Sequence, residues 1–133
     1  MPGIPTPTKG ELAILRALWT LGRPSTVREV HDHLNPDGSA AYTTTLKLLQ
    51  IMTGKGLTVR EERGPQHLYR PSDSEERVQR RLVSDLLDRA FEGSTARLVV
   101  QALASRRTSQ KDLEEIRKAI AAAQKAKGTR DDD

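Results

Sequence analysis

Apolar positions recur along most of the chain with a helical period, and turn residues cut that pattern into six segments. Leu12, Leu15 and Trp19 repeat at i, i+3, i+7, with Leu18 widening the stripe. This predicts a first helix opened by Thr8 or Lys9 and closed by Gly22 and Pro24. Thr26-Val-Arg-Glu29 reads as a capping box, in which the Thr26 hydroxyl accepts from the amide three residues on and Glu29 reaches back. It opens a second helix with Val27, Val30 and Leu34 as its buried stripe, ended by Asn35-Pro36-Asp37-Gly38. A third helix starts near Ala41 and is closed by Gly54 and Gly56. Leu48, Leu49 and Met52 anchor one side, while Tyr42, Thr43, Thr44, Lys47 and Gln50 occupy its start and polar side.

The period then changes. Residues 57–63 and 66–70 alternate on either side of Gly64-Pro65, which predicts a hairpin carrying Arg60 and Arg63 on one arm and Arg70 on the other, ended by Pro71. Three short helices followed by a basic hairpin make a helix-turn-helix with a wing. Beyond it, Ser72-Asp73-Ser74 caps a fourth helix striped by Val78, Leu82, Leu86 and Ala90, with Val83, Leu87 and Phe91 beside them. Gly93 breaks it. Ser94 or Thr95 opens a fifth helix with Leu98, Val99, Ala102 and Leu103, and Ser109 opens a sixth with Leu113, Ile116 and Ile120. The expected organisation is a flexible leader at 1–8, a winged-helix domain at 9–71, a helical dimerisation domain at 72–123 and a disordered tail at 124–133. The fold class is mainly α with a small β-hairpin wing.

Composition sharpens this picture in two places. No Asp or Glu occurs from Gly38 through Arg60 in a chain with 18 acids, so a polyanion could lie along the third helix without meeting a carboxylate. The net charge of +4 is concentrated the same way, with an excess of +3 over residues 1–71 and +1 over 72–133. The absence of cysteine excludes disulfides, thiolate metal sites and thiol catalysis. With no membrane-length apolar run and no signal-peptide core, a cytoplasmic protein without membrane insertion is expected. Neither a phosphate-binding glycine loop, a His-Glu metal motif nor a nucleophile elbow is present, so neither catalysis nor a cofactor is expected.

The expected DNA-binding residues are therefore Tyr42, Thr43, Thr44, Lys47, Gln50, Lys55, Arg60, Arg63 and His67, with hydroxyls, Lys and Gln suited to phosphates and base edges. Tyr42 has two readings, a phosphate contact or a staple holding the helix start on the core. For Arg60 and Arg63 the competing role is charge pairing with Glu61 and Glu62. His31 and His33 are about 200° apart on a helix and cannot share a metal ion. Leu82, Leu86, Phe91, Leu98, Leu113 and Ile116 are the expected dimer interface, because three apolar stripes on one short chain need a partner and a second copy supplies it. The alternative function from another class is a winged-helix module that binds protein without specific DNA binding.

Several of these stretches resemble the penicillinase-repressor family, which includes the methicillin-resistance and copper-responsive repressors. They are Lys9–Trp19, Thr26-Val-Arg-Glu-Val30, Ala41-Tyr-Thr-Thr44, Lys55-Gly-Leu57, Tyr69-Arg-Pro71 and Phe91-Glu-Gly-Ser94, in order from about Lys9 to Ile120. The resemblance implies a bacterial winged-helix homodimer that represses transcription from a palindromic operator, often with TACA and TGTA half-sites, and control of β-lactam-resistance or related stress genes. It also implies a membrane sensor protease as partner in the β-lactam-induced branch, cutting an Asn-Phe bond in the fifth helix. The corresponding pair here, Gln101-Ala102, departs from that pattern and argues against such cutting. A second departure is Ile51, where the family often has Arg. The cysteine metal motif of the copper-responsive branch has no counterpart.

Overall fold

The computed structural model describes residues 4–130, so residues 1–3 of the expected leader and 131–133 of the expected tail lie outside the described residues. The order of elements is α1 (Lys9–Leu21), α2 (Val27–Leu34), α3 (Tyr42–Lys55), β1 (Thr58–Arg63), β2 (Gln66–Pro71), α4 (Glu75–Ala90), α5 (Thr95–Ser105) and α6 (Gln110–Arg130). The protein is mainly α, with a two-stranded antiparallel wing directly after the third helix. It forms two compact units that divide between Asp85 and Leu86, inside α4, rather than at Pro71. The reason is packing: Val78 is buried, and the Trp19 indole Nε1 donates to the Asp73 carbonyl at 3.1 Å, so the beginning of α4 belongs with the winged helix.

In the first unit α1 starts with a capping box that mirrors the one on α2. The Thr8 hydroxyl accepts from the Glu11 amide at 3.2 Å, and the Glu11 carboxylate accepts from the Thr8 amide at 2.9 Å. At α2 the same exchange between Thr26 and Glu29 spans 3.0 and 3.1 Å. The buried row of α1 is Glu11, Ile14, Leu15, Ala17 and Leu18, with Leu12 and Trp19 only half-buried. The stripe is wider than its spacing predicts because α1 packs on α2, α3 and β2 together. Those side chains meet Val27, Val30, Leu49, Met52, Leu57 and Tyr69 in one core. Ile4 packs against the same core, so the described part of the leader is not loose at that point.

The wing turns on Gly64, whose φ of +61° supplies the left-handed conformation that a tight two-residue hairpin turn needs at its first central position. Its base is fixed by a short bridge that the sequence pattern does not reveal. The Ser25 amide donates to the Tyr69 carbonyl at 2.9 Å and the Tyr69 amide to the Ser25 carbonyl at 2.8 Å, tying β2 to the loop between α1 and α2.

In the second unit Ser94 caps α5 and Ser109 caps α6, each hydroxyl accepting an amide three residues on. The end of α4 passes into α5 through two left-handed residues, Glu92 (φ 49°) and Gly93 (φ 79°). α6 runs on to Arg130, past Gln124 where a disordered tail is expected. Gln124, Lys125, Ala126 and Lys127 are good helix formers, and the absence of an apolar face removes a reason to pack without removing the preference for the helix. No residue of α5 is buried, and none of α6 through Gly128 is.

Candidate nucleic-acid interface

α3 offers its two sides to different environments. Thr45, Leu49 and Met52 are buried, and on the opposite arc Thr43, Thr44, Lys47, Gln50, Ile51 and Gly54 are all exposed. Helical periodicity brings these six onto one face. The helix opens on Ala41, which gives no side-chain cap, and has no acid in its first turn, so no carboxylate offsets its positive dipole end, although the Thr44 amide donates to the Ala41 carbonyl at 3.1 Å. Gly54 is part of the helix, and the left-handed cap is Gly56 (φ 85°) alone. Among the described residues Lys47 has no carboxylate partner.

Tyr42 makes packing contacts at the start of α3. Its half-buried ring lies edge-on to His31 with centroids 5.7 Å apart, and the Arg28 guanidinium sits 4.4 Å over its face. His31 is itself buried and shares a 3.0 Å hydrogen bond between Nδ1 and the Thr45 hydroxyl. Together these contacts orient the start of α3 on α2. Arg28 is a candidate contact that sequence reasoning passes over, since it lies outside the acid-free stretch; only its stacking on Tyr42 brings it to the edge of the α3 arc. Its single ion pair, to Asp32 at 3.8 Å with both side chains 64% exposed, leaves the guanidinium accessible.

Lys55 is placed differently from its neighbours. Its Nζ donates to the Glu11 carboxylate at 2.8 Å, and Glu11 is only 1% exposed. Burial pushes the Glu11 carboxyl up, but the Lys55 ammonium and the Thr8 amide outweigh it and hold the group below its usual value. The charge of Lys55 thus balances a buried acid inside the fold. Its side chain stays 33% exposed, but its ammonium is engaged with Glu11.

On the wing the alternation of the strands separates the two arginines. Arg60 is paired across the ladder with Tyr69 and Glu62 with His67, whereas Arg63 is opposite Gln66 on the other side of the ribbon. Glu62 lies 3.5 Å from Arg60 and 3.9 Å from His67, and Glu61 takes Arg70 at 3.0 Å. Charge pairing therefore claims Arg60 in part, while Arg63 has no carboxylate partner among the described residues. Two grooves link the wing to the helices. Gln50, Thr53 and Arg60 line one of about 570 Å³ beside α3. Arg28, Tyr42 and His67 line another of about 310 Å³ on the α2 side.

Comparison with known proteins decides what this arrangement belongs to. The penicillinase repressor family model matches residues 7–122, nearly the whole chain. The chain belongs to the penicillinase repressor family. Transcriptional regulator BlaI of Mycobacterium tuberculosis, in strains CDC 1551 and H37Rv alike, is 29% identical over 120 residues, covering 90% of this chain and 86% of the relative. A chain in the crystal structure of the Giardia lamblia Hop2-Mnd1 complex aligns over 88% of this chain and 81% of its own at 17% identity, with a TM-score of 0.37, too low to bear on the fold. Membership places the protein among transcriptional regulators. Among the described residues no helix is long and apolar enough to cross a membrane.

The two departures from the penicillinase repressor pattern both fall at exposed positions. Ile51 projects from the α3 arc with 41% exposure. Gln101 and Ala102 are exposed on α5, and the Gln101 carbonyl accepts from the Ser105 hydroxyl at 2.6 Å. The six expected interface residues divide between the units: Leu82 is half-buried near the end of the first, and Leu86, Phe91, Leu98, Leu113 and Ile116 are half-buried or exposed in the second.

Proposed function

We propose that this family member acts as a homodimeric repressor, each copy laying the exposed arc of α3 into the major groove of one half of a palindromic operator. One observation carries the reading. The arc that holds Thr43, Thr44, Lys47 and Gln50 is acid-free, uncapped at its positive end and wholly exposed, while its opposite side is locked into the core. A helix so divided is rigid enough to read base edges and polar enough to do so. Lys47, Arg28 and Arg63 supply phosphate contacts, Arg60 and His67 add to them from the opposite side of the wing, and Thr43, Thr44 and Gln50 supply base contacts. A two-fold axis relating two copies then sets half-site centres about 10 to 10.5 base pairs apart or a multiple of that.

The test is selection of bound duplexes from random DNA at two salt concentrations. A two-fold symmetric site whose affinity falls steeply with salt is the expected result. Weak, sequence-blind binding would transfer the α3 surface to a protein partner instead. Within a selected site, Lys47→Ala should weaken all sequences about equally if Lys47 holds a phosphate, and relax one base position if it reads guanine.

A further inference from the structure

Among the six exposed residues of the α3 arc, five are polar side chains or glycine and one is a branched aliphatic, Ile51. It follows Gln50 directly and lies one turn beyond Lys47. At 41% exposure it is outside the core that holds Thr45, Leu49 and Met52. One turn further on, a Cβ built at Gly54 would meet nothing within 4 Å, so no bulk at that position stands in front of Ile51. A lone exposed isoleucine is ordinary on most surfaces. On a face disposed toward a base-pair edge it has a specific counterpart, because the thymine C5-methyl is the apolar group that base pairs present in the major groove. Gln50 is suited to the N6 and N7 atoms of adenine, and an A·T pair shows those atoms and the thymine methyl in the same groove.

We infer that Ile51 is a specificity-determining residue that packs on a thymine methyl, at or next to the A·T pair read by Gln50. The inference rests on the operator-binding reading above and names one of its base contacts. No hydrogen-bonding side chain at this position could tell a methyl from a hydrogen as directly.

The experiment replaces each thymine of a selected duplex in turn by deoxyuridine, which removes the methyl and keeps the pairing edge, and measures affinity for the wild-type protein and Ile51→Ala. Thermal melting of both proteins confirms equal folding, as expected for an exposed helical site where alanine is the better helix former. The expected result is a loss of about fourfold at one position per half-site, about fifteenfold with both half-sites substituted, from the burial of one methyl group. In Ile51→Ala that sensitivity should vanish at the same position, while the response of every other thymine stays as in the wild type. A duplex bound specifically but with no uridine-sensitive position, or with a sensitivity unchanged in Ile51→Ala, overturns this inference and leaves operator binding standing. Failure to select any duplex overturns both.

Discussion

Lys47 and Lys55 show how one residue type can serve opposite ends within a few turns of helix. Lys47 is exposed with no carboxylate partner among the described residues, whereas Lys55, two turns later on the same helix, is bonded to an acid that is 1% exposed. Replacing Lys55 by Met should cost about 2 to 3 kcal/mol, somewhat below the loss for a wholly buried pair because Lys55 retains some solvent contact. Restoring neutrality with Glu11→Gln in the same chain should recover part of it. Denaturant unfolding reads both, and duplex affinity per folded molecule should change far less than in Lys47→Ala. The two capping-box acids also set an acid limit. The Arg23 side chain and the Thr26 amide hold the Glu29 carboxyl at about 2, and Glu11 too is held below its usual value. Both carboxyls start from an ordinary value of 4.5, so the stabilisation each gives is present above that pH and is lost on acidification, for Glu29 as the pH falls toward about 2. Melting temperature should drop across that interval, and less steeply in Glu29→Gln.

At the scale of elements, the wing and α3 are held by unlike means. α3 is held by its apolar side and by Tyr42 against α2, while the wing depends on backbone hydrogen bonds at its base between Ser25 and Tyr69. Because Gly54 is a helical residue with open space around its Cβ position, Gly54→Ala should stabilise the protein by about 1 kcal/mol, seen as a higher denaturant midpoint. An unchanged or lower midpoint would mean that the last turn of α3 is not helical in solution. Which lysines on α3 carry an ion pair follows from element packing, since α1 carries Glu11 to the end of α3, where it pairs with the partly exposed Lys55.

For the whole molecule the telling fact is an imbalance between the units. The winged helix has a closed core, while α5 has no buried residue, and Leu86, Val100, Leu103 and Ile120 are between 38% and 62% exposed. Apolar surface of this kind on three helices is what the proposed homodimer would cover, with a second copy burying it symmetrically. Val100, which the helical spacing does not single out, joins Leu103 of the fifth-helix stripe in extending the exposed apolar set beyond the six expected interface residues. Leu86→Asp should leave the first unit folded and yield a monomer in sedimentation, with most operator affinity lost. A dimer that survives this change would place the interface on other residues.

Much of the architecture was legible in the sequence because it is encoded locally. Helical periods, the Thr26–Glu29 capping box, the Gly64-Pro65 turn and the acid-free run each depend on residues a few positions apart, and the polar arc of α3 follows from its period alone. The Thr8–Glu11 box obeys the same rule, but the sequence reading places only a helix start at Thr8 or Lys9 and the box itself emerges from the structure. What the tertiary structure decided are pairings across long separations: Glu11 with Lys55, Ser25 with Tyr69, Arg28 with Tyr42, and the seating of Trp19 against Asp73. It also decided that Arg60 and Arg63 lie on opposite sides of the wing, since that follows from strand alternation once the register is fixed. The physical reason for the division is that periodicity and capping are properties of a short peptide, whereas the partner of a charge is set by which elements the hydrophobic core brings together.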